Sequence, residues 1–492
     1  MRASPARFRL LLATASILLT AAAAAQTPPS ALELGLLIAE QSRPSFSILG
    51  AGARAAGMGG AFTALADDAS AASFNPAGLA LLILPEVSVV ATGQRHTEDH
   101  LHFVSIQQAA RPLAYDDTHT SFDASALSFA AATLPFPLFK RNLCLQLSYQ
   151  RLIDFTFDSR RDFLQRDATF AAARFRQIVK QEGDIHTYSV ALAYQLTERF
   201  SFGVNLARWI GDWTFATLDA ARNLQTEKEG YFDYRQRNRL EGWGWSMGGL
   251  LRYRYLNIGA MYRFPFTLDY TFGSTFASNF PTTVAGAPKL RHWLHWPSSW
   301  TAGIAIKPTD TWHLTADYAR YNWSQMEIRG LGADRRTAVN FFDFAATSQT
   351  TTRDVEQWRF GTELTFFAAR TPVALRAGYF REPEPLQALS PSFRGPTVEG
   401  YSAGLGVKLG QLSIDLAYQR RSFTSRVFQF IDPRVLETEN LKALAVGNKA
   451  TREERAFVAL LYQFPSGEKV RNALRYLFVA PTSGSGNDGD GN

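Results

Sequence analysis

Residues 401–419 read YSAGLGVKLGQLSIDLAYQ. Two alternations meet there. Tyr401, Ala403, Leu405, Val407 and Leu409 are apolar, while Ser402, Gly404, Gly406, Lys408 and Gly410 are small or polar. After Gly410-Gln411, Leu412, Ile414, Leu416 and Tyr418 alternate with Ser413, Asp415, Ala417 and Gln419. A period of two residues marks a strand with one greasy face. Two such runs joined by two residues make a hairpin.

The same pattern recurs back along the chain. Trp312, Leu314, Ala316 and Tyr318 oppose His313, Thr315, Asp317 and Ala319. Phe360, Leu364 and Phe366 oppose Arg359, Glu363 and Thr365, and Val373, Leu375, Ala377 and Tyr379 oppose Arg376 and Gly378. Fourteen such strands are expected, near 85–95, 124–135, 141–155, 183–198, 200–215, 241–255, 256–272, 299–308, 311–328, 356–370, 372–384, 397–410, 411–424 and 453–464. The connections after every second strand are tight, among them Phe136 to Lys140, Leu196 to Arg199 and Arg370-Thr371-Pro372. The others are long and irregular. An even number of antiparallel strands with short turns at one rim and long loops at the other describes a transmembrane β-barrel of an outer membrane. The termini then lie on the periplasmic, short-turn side of a Gram-negative outer membrane. Tryptophans at 209, 213, 243, 245, 293, 296, 300, 312, 323 and 358 are expected to form its interfacial girdles.

Fourteen strands enclose more space than their own side chains fill, since eight suffice for a filled interior. The stretch LGAGARAAGMGGAFTALADDASAASFNPAGLALLIL (49–84) is the candidate filler. Pro76 forbids one continuous helix, and the Gly/Ala richness suits close backbone approach better than a packed strand. The expected organisation is a plug or hatch over 26–84, a barrel over 85–464 and a periplasmic tail over 465–492. The end of that tail is Gly/Ser/Asp-rich and expected to be disordered.

Other features bound the class. Arg2, Arg7 and Arg9, an apolar centre over 10–19 and Ala21 to Ala25 make residues 1–25 a secretory signal peptide, cleaved before Gln26. No later stretch has 18 apolar residues in a row, so a helical span is not expected. The chain is 13% aromatic and 19% charged, with a net charge of +7 from scattered Lys and Arg, which gives no basic run for nucleic acid. The single Cys144 excludes an internal disulfide and reads as a small buried apolar residue.

Residues 52–80, GARAAGMGGAFTALADDASAASFNPAGLA, resemble the amino-terminal hatch of FadL/TodX-type outer-membrane transporters of hydrophobic compounds. The matching core runs from Asp67-Asp68 to Asn75-Pro76-Ala77. SSWTAGIAIKPTDTWHLTADYARYNWS (298–324) and VALRAGYFREPEP (373–385) are similar to later strands of that family. The hatch stretch is equally similar to PorV-like barrels that serve protein secretion. The family's closing aromatic is matched by Phe464, here followed by 28 further residues. The resemblance implies passive uptake of long-chain fatty acids or aromatic hydrocarbons through a hatch-gated barrel. The alternative is a barrel scaffold binding protein partners in secretion or assembly. Either way the surroundings are outer-membrane lipid and lipopolysaccharide. The sequence is compatible with a monomer.

No catalytic constellation, cofactor motif or phosphate loop is present, so an enzyme is not expected. His96, His100 and His102, beside Glu98 and Asp99, have loose metal-ligand spacing, but a solvated loop explains them and no metal site is assigned. Lumen-facing charges are expected at Arg252, Arg254, Asp317, Arg359, Glu363, Arg376, Lys408 and Asp415. They either fill and brace the lumen, or Arg252, Arg254, Arg359 and Arg376 orient a ligand's anionic head. Asp67 and Asp68 are read as anchors of the hatch or turn caps. Asn75 and Pro76 are read as a tight turn or as the part that shifts on opening.

Overall fold

The computed structural model describes residues 50–105, 114–166, 171–224, 227–279, 290–329, 353–385, 396–431 and 443–465. The signal peptide expected at 1–25, the first part of the plug at 26–49 and the tail from 466 lie outside these.

Among the described residues, nineteen ladder segments form one antiparallel sheet. Four of them continue a strand across a break and one is a two-residue bridge, Ala114–Tyr115, which leaves fourteen wall strands. These are β1 (Glu86–Ser105), β2 (Thr118–Leu138), β3 (Arg141–Asp154 and Phe157–Arg166), β4 (Ala171–Gln195), β5 (Phe200–Asn223), β6 (Glu229–Arg252) and β7 (Leu256–Arg263 and Phe266–Ser278). There follow β8 (Leu290–Trp296 and Ser299–Thr309), β9 (Trp312–Tyr321 and Glu327–Arg329), β10 (Val355–Ala368), β11 (Thr371–Pro383), β12 (Thr397–Leu409), β13 (Leu412–Ile431) and β14 (Ala443–Gln463). The barrel closes because Glu86 of β1 pairs with Thr133 of β2 and also with Gln463 of β14.

The alternation read from the sequence sets which face looks out. Leu405, Leu416, Leu460, Val89 and Phe366 are exposed on the outer surface, while Ser402, Ala417, Ala459, Ser88 and Glu363 are buried. Such an outer face suits hydrocarbon and leaves no unpaired edge.

Several strands run further at the long-loop end than the sequence suggests. Pairing of β4 with β5 continues to Ala173↔Asn223 and that of β5 with β6 to Arg222↔Glu229. The outward residues there are charged, including Arg176, Lys180, Arg235 and Arg237, so a greasy-face criterion stops too early.

The breaks have local causes. Pro265 and Pro297 lack the amide needed for the ladder and divide β7 and β8 at the same level, where Phe266 pairs with Trp296. A short 3-10 turn, Trp323–Gln325, divides β9 beside them. In β3 the break is at Phe155-Thr156. The β2–β3 ladder runs only from Phe129↔Gln150 to Leu138↔Arg141. Further out, the next links are the Ala114–Tyr115 bridge to Gln165 and Arg166 and Asp116 N–H to Leu164 O. Between roughly residues 118–128 and 151–163 the wall therefore lacks ladder bonds, and Phe122 packs edge-on to Phe157 across this slot with ring centroids 5.4 Å apart.

Candidate functional site

Residues 51–82 lie inside the barrel, built of α1 (Ala53–Gly57), α2 (Ala71–Phe74) and a 3-10 turn (Pro76–Leu81). Nearly every side chain of this plug is buried. The wall receives it with glycine. A Cβ at Gly203, Gly248, Gly259, Gly361 or Gly378 would stand closer than 3.0 Å to plug atoms at Pro76, Asn75, Thr63, Met58 and Gly59 respectively. Each of these glycines faces another glycine across the strands, as Gly203↔Gly248, Gly361↔Gly378 and, with a sixth glycine, Gly259↔Gly303. A side-chain-free band thus lets a second backbone approach the sheet.

Side-chain amides and a hydroxyl, together with the one carboxylate of Asp317, hold the plug along β5–β9. Asn75, fully buried, donates from Nδ2 to Thr63 O and Gly249 O at 3.0 Å, and its Oδ1 accepts from Ala77 N at 3.1 Å. That last bond caps the 3-10 turn, whose first residue Pro76 has no amide to satisfy. Asn257 Nδ2 donates to Ala64 O and Ser201 Oγ to Ala77 O. Asp317 of β9 accepts from Phe62 N, Thr63 N and Thr63 Oγ1 at 3.0, 2.9 and 2.7 Å.

On the β10–β14 side Ser402 Oγ donates to Gly57 O at 2.9 Å and accepts from Gly59 N at 2.8 Å, Gln419 Nε2 donates to Ala56 O at 2.9 Å, and ion pairs join these uncharged bonds. Arg54 of α1 forks onto both oxygens of Glu363 at 2.8 Å and reaches Asp67 at 2.5 Å and Asp68 at 3.6 Å. Arg376 bonds Glu363 and Asp415 at 2.6 Å. Although burial opposes its charge, Arg54 is held well above the ordinary arginine value by Asp67 and Glu363. Burial raises the Asp68 carboxyl against the pull of Arg54.

Beyond the plug, toward the long-loop end, the lumen divides into two sides. Across β10–β14 and β1 the ion pairs continue. Arg359 bonds Glu382, Arg421 joins Glu382 to Glu453, Arg455 bonds Glu453, and Lys449 bonds Glu98 at 2.9 Å. His96 and His100 flank Glu98 here, facing inward and buried; they are not residues of a solvated loop.

The opposite side, β3–β9, is a continuous apolar cluster. Trp209 and Trp296 lie with ring centroids 5.0 Å apart, Trp296 meets Trp323 at 5.4 Å, and Phe155 stacks on Trp213 at 4.5 Å. Phe155 is the residue at which β3 breaks, so the cluster reaches the wall slot. Arg263 of β7 faces in at the base of this cluster, beside Ser246 and Ser299 in register. Among the described residues it enters no ion pair. A small cavity of about 40 Å3 lies at the seam, between Trp323, Val355 and Val398 on one side and His96, Arg421 and Glu453 on the other. It has room for a few waters but not for an aromatic molecule.

These positions revise the expectations from sequence. Trp209, Trp213, Trp296 and Trp323 are 2–4% exposed and line the lumen, while Trp243, Trp245, Trp293, Trp312 and Trp358 do face outward. The parity is legible in the sequence, because Trp209 and Trp213 share an alternation set with the lumen-facing Gly203. Arg359 and Arg376 lie in the lumen, each held by carboxylates. Arg252 and Arg254 are instead at the short-turn rim, away from both sides of the inner lumen. Sequence reasoning misses Arg263, although it continues the lumen set Asn257, Gly259, Met261.

Residues 35–451 match the family model described as outer membrane protein transport protein (OMPP1/FadL/TodX). A FadL homologue of Pseudomonas aeruginosa superposes with a TM-score of 0.59 at 14% identity, over 85% of this chain and 99% of that one. A deltaS2 mutant of the TodX monoaromatic hydrocarbon channel superposes at 0.51 with 15% identity, over 85% and 100%. Among curated proteins none matches.

Proposed function

This chain belongs to the OMPP1/FadL/TodX family of outer-membrane transport proteins, and on that premise we propose that it admits small hydrophobic compounds passively through the aromatic side of its lumen. The carrying observation is the apolar cluster of β3–β9, which runs from Arg263 at its base to the break in β3. Apolar rings offer an uncharged molecule a dry surface. Arg263, in no ion pair among the described residues, can take the carboxylate of an amphipathic acid. Long-chain fatty acids and aromatic hydrocarbons are therefore both candidate cargo, differing in their use of Arg263.

The cluster is closely packed at rest, so passage requires side chains or the plug to move. Plug residues 51–82, with Asn75-Pro76 at their turn, act as the hatch. The slot between β2 and β3 is the way into the surrounding lipid. Cargo moves down its own gradient. The short turns and both termini face the periplasm. Lipopolysaccharide surrounds the opposite end, and the barrel works as a monomer.

Uptake of labelled dodecanoate and labelled toluene into cells with and without the gene tests this. Uptake of both should depend on the gene. Arg263→Gln should lower dodecanoate uptake roughly tenfold, the worth of one charge-assisted contact, and leave toluene uptake unchanged. No gene-dependent uptake of either compound, with a protein co-purifying with the barrel, would replace the transporter by the PorV-like scaffold.

A further inference from the structure

Inside the barrel the cations named above mostly meet carboxylates. At the short-turn rim the pattern reverses. Arg199, Arg252, Arg254 and Lys307 line one open depression of about 550 Å3. They come from three adjacent strand ends: the β4–β5 turn, the β6–β7 turn and the lower part of β8. Lys307 N–H donates to Tyr255 O at 2.9 Å and Arg252 N–H to Arg199 O at 2.7 Å, which ties the three together. Among the described residues none of the four cations is in an ion pair. The one acid in the lining, Glu198, is 87% exposed and lies 4.0 Å from Arg141.

The depression is also fitted to a lipid boundary. Arg199 sits over the ring of Tyr253 at 5.4 Å and Arg254 over Tyr255 at 5.0 Å. Tyrosines at a membrane rim sit at head-group level. The outer surface just above presents Phe200, Phe202, Ile258, Ile304 and Ile306, all exposed. A cationic hollow with apolar wall beside it matches an anionic head with acyl chains.

We infer that this rim depression is a binding site for the phosphate head group of an anionic phospholipid in the leaflet that meets the short turns. Arg252 and Lys307 hold the phosphate from the lumen side and Arg199 and Arg254 from the rim, while the chains lie along Phe200, Ile258 and Ile306. The inference rests on the barrel's place in the membrane and not on what it transports, so it survives if the transport reading fails.

Native mass spectrometry of the detergent-extracted full-length barrel, titrated with phosphatidylglycerol or phosphatidylethanolamine, tests it. Phosphatidylglycerol should be retained at roughly tenfold lower concentration, a difference of about 1.4 kcal/mol. Arg252→Gln with Arg254→Gln should abolish the difference, and Arg370→Gln at a distant short turn should preserve it. If the double variant fails to fold, judged by heat-modifiable gel mobility, Arg254→Gln alone at the turn should reduce the preference severalfold. Equal retention of the two lipids, or a preference unchanged in a folded variant, overturns the site. Displacement of phosphatidylglycerol by millimolar inorganic phosphate, with phosphate retained in its place, assigns the depression to free phosphate and overturns the lipid.

Discussion

The two sides of the lumen are built from the same alternating strands, yet one is braced by ions and the other by rings. Around Glu382 and Glu453, arginines Arg359, Arg421 and Arg455 donate to the shared carboxylate oxygens. Trp209, Trp213, Trp296 and Trp323 belong to one apolar cluster, in which Tyr270 donates to Asn238 Oδ1 at 2.7 Å. At the plug the contrast softens: Arg54 is paired with Glu363 on one side, where Ser402 and Gln419 also bond plug backbone, and Asn75 with the Asp317 carboxylate holds the other. A buried ion network resists rearrangement, because parting one pair strands a charge. Parting apolar rings strands no charge, and a hydrophobic guest replaces the contacts that are lost. On the proposed reading, the ionic side frames the lumen and the aromatic side takes the hydrophobic molecule.

The largest effect should come from breaking the ionic side. Arg421 is 4% exposed and bridges two carboxylates. Arg421→Met leaves both short of a partner and should lower stability by about 4 kcal/mol. Urea unfolding in lipid vesicles, followed by tryptophan fluorescence, would measure it. A loss below about 1 kcal/mol would mean that the network does not brace the wall.

On the apolar side, Trp296→Ala should cost about 3 kcal/mol and leave a hydrophobic void between Trp209 and Trp323. Such voids stay dry and take up aromatic guests. Toluene at a hundred times its dissociation constant should restore about 2.7 kcal/mol. The same toluene added to Arg421→Met should restore nothing. If both variants respond alike, the two sides are not chemically distinct.

How far this division is legible in the sequence follows from what alternation reports. It gives the faces of each strand, and parity alone assigns Glu363, Arg376 and Asp415 to the lumen. It also exposes the plug, because no strand or single helix accommodates 52–80. It does not reveal which lumen charges meet, since Arg54 and Glu363 are 309 residues apart and only the barrel's closure joins them. It misplaces Arg252 and Arg254 in depth, because parity says nothing about height along a strand. The inward tryptophans are hidden by their type: an aromatic girdle is the commoner use, and only strand parity separates the two.

The smallest effect concerns the plug's ionic end and sharpens the comparison through pH. Asp68 Oδ1 accepts from Ser70 N at 2.8 Å and Ser70 Oγ at 2.6 Å, while Arg54 is 3.6 Å from Oδ2. Asp68→Asn keeps the Oδ1 acceptor and removes the charge, so the change at neutral pH should stay under about 1 kcal/mol. Its sign follows from burial, which raises the Asp68 carboxyl in the folded protein. From about pH 4 upward, the folded state retains a proton that the unfolded chain has lost, so this residue makes stability fall as pH rises through that window. Asp68→Asn should remove that decline and match the parent below it. Unfolding free energies at pH 4 and pH 7 for parent and variant give the test. Parallel pH dependence would mean that Asp68 titrates as it does in the unfolded chain. The ionic end of the plug would then be as indifferent to pH at this residue as the other end at Asn75.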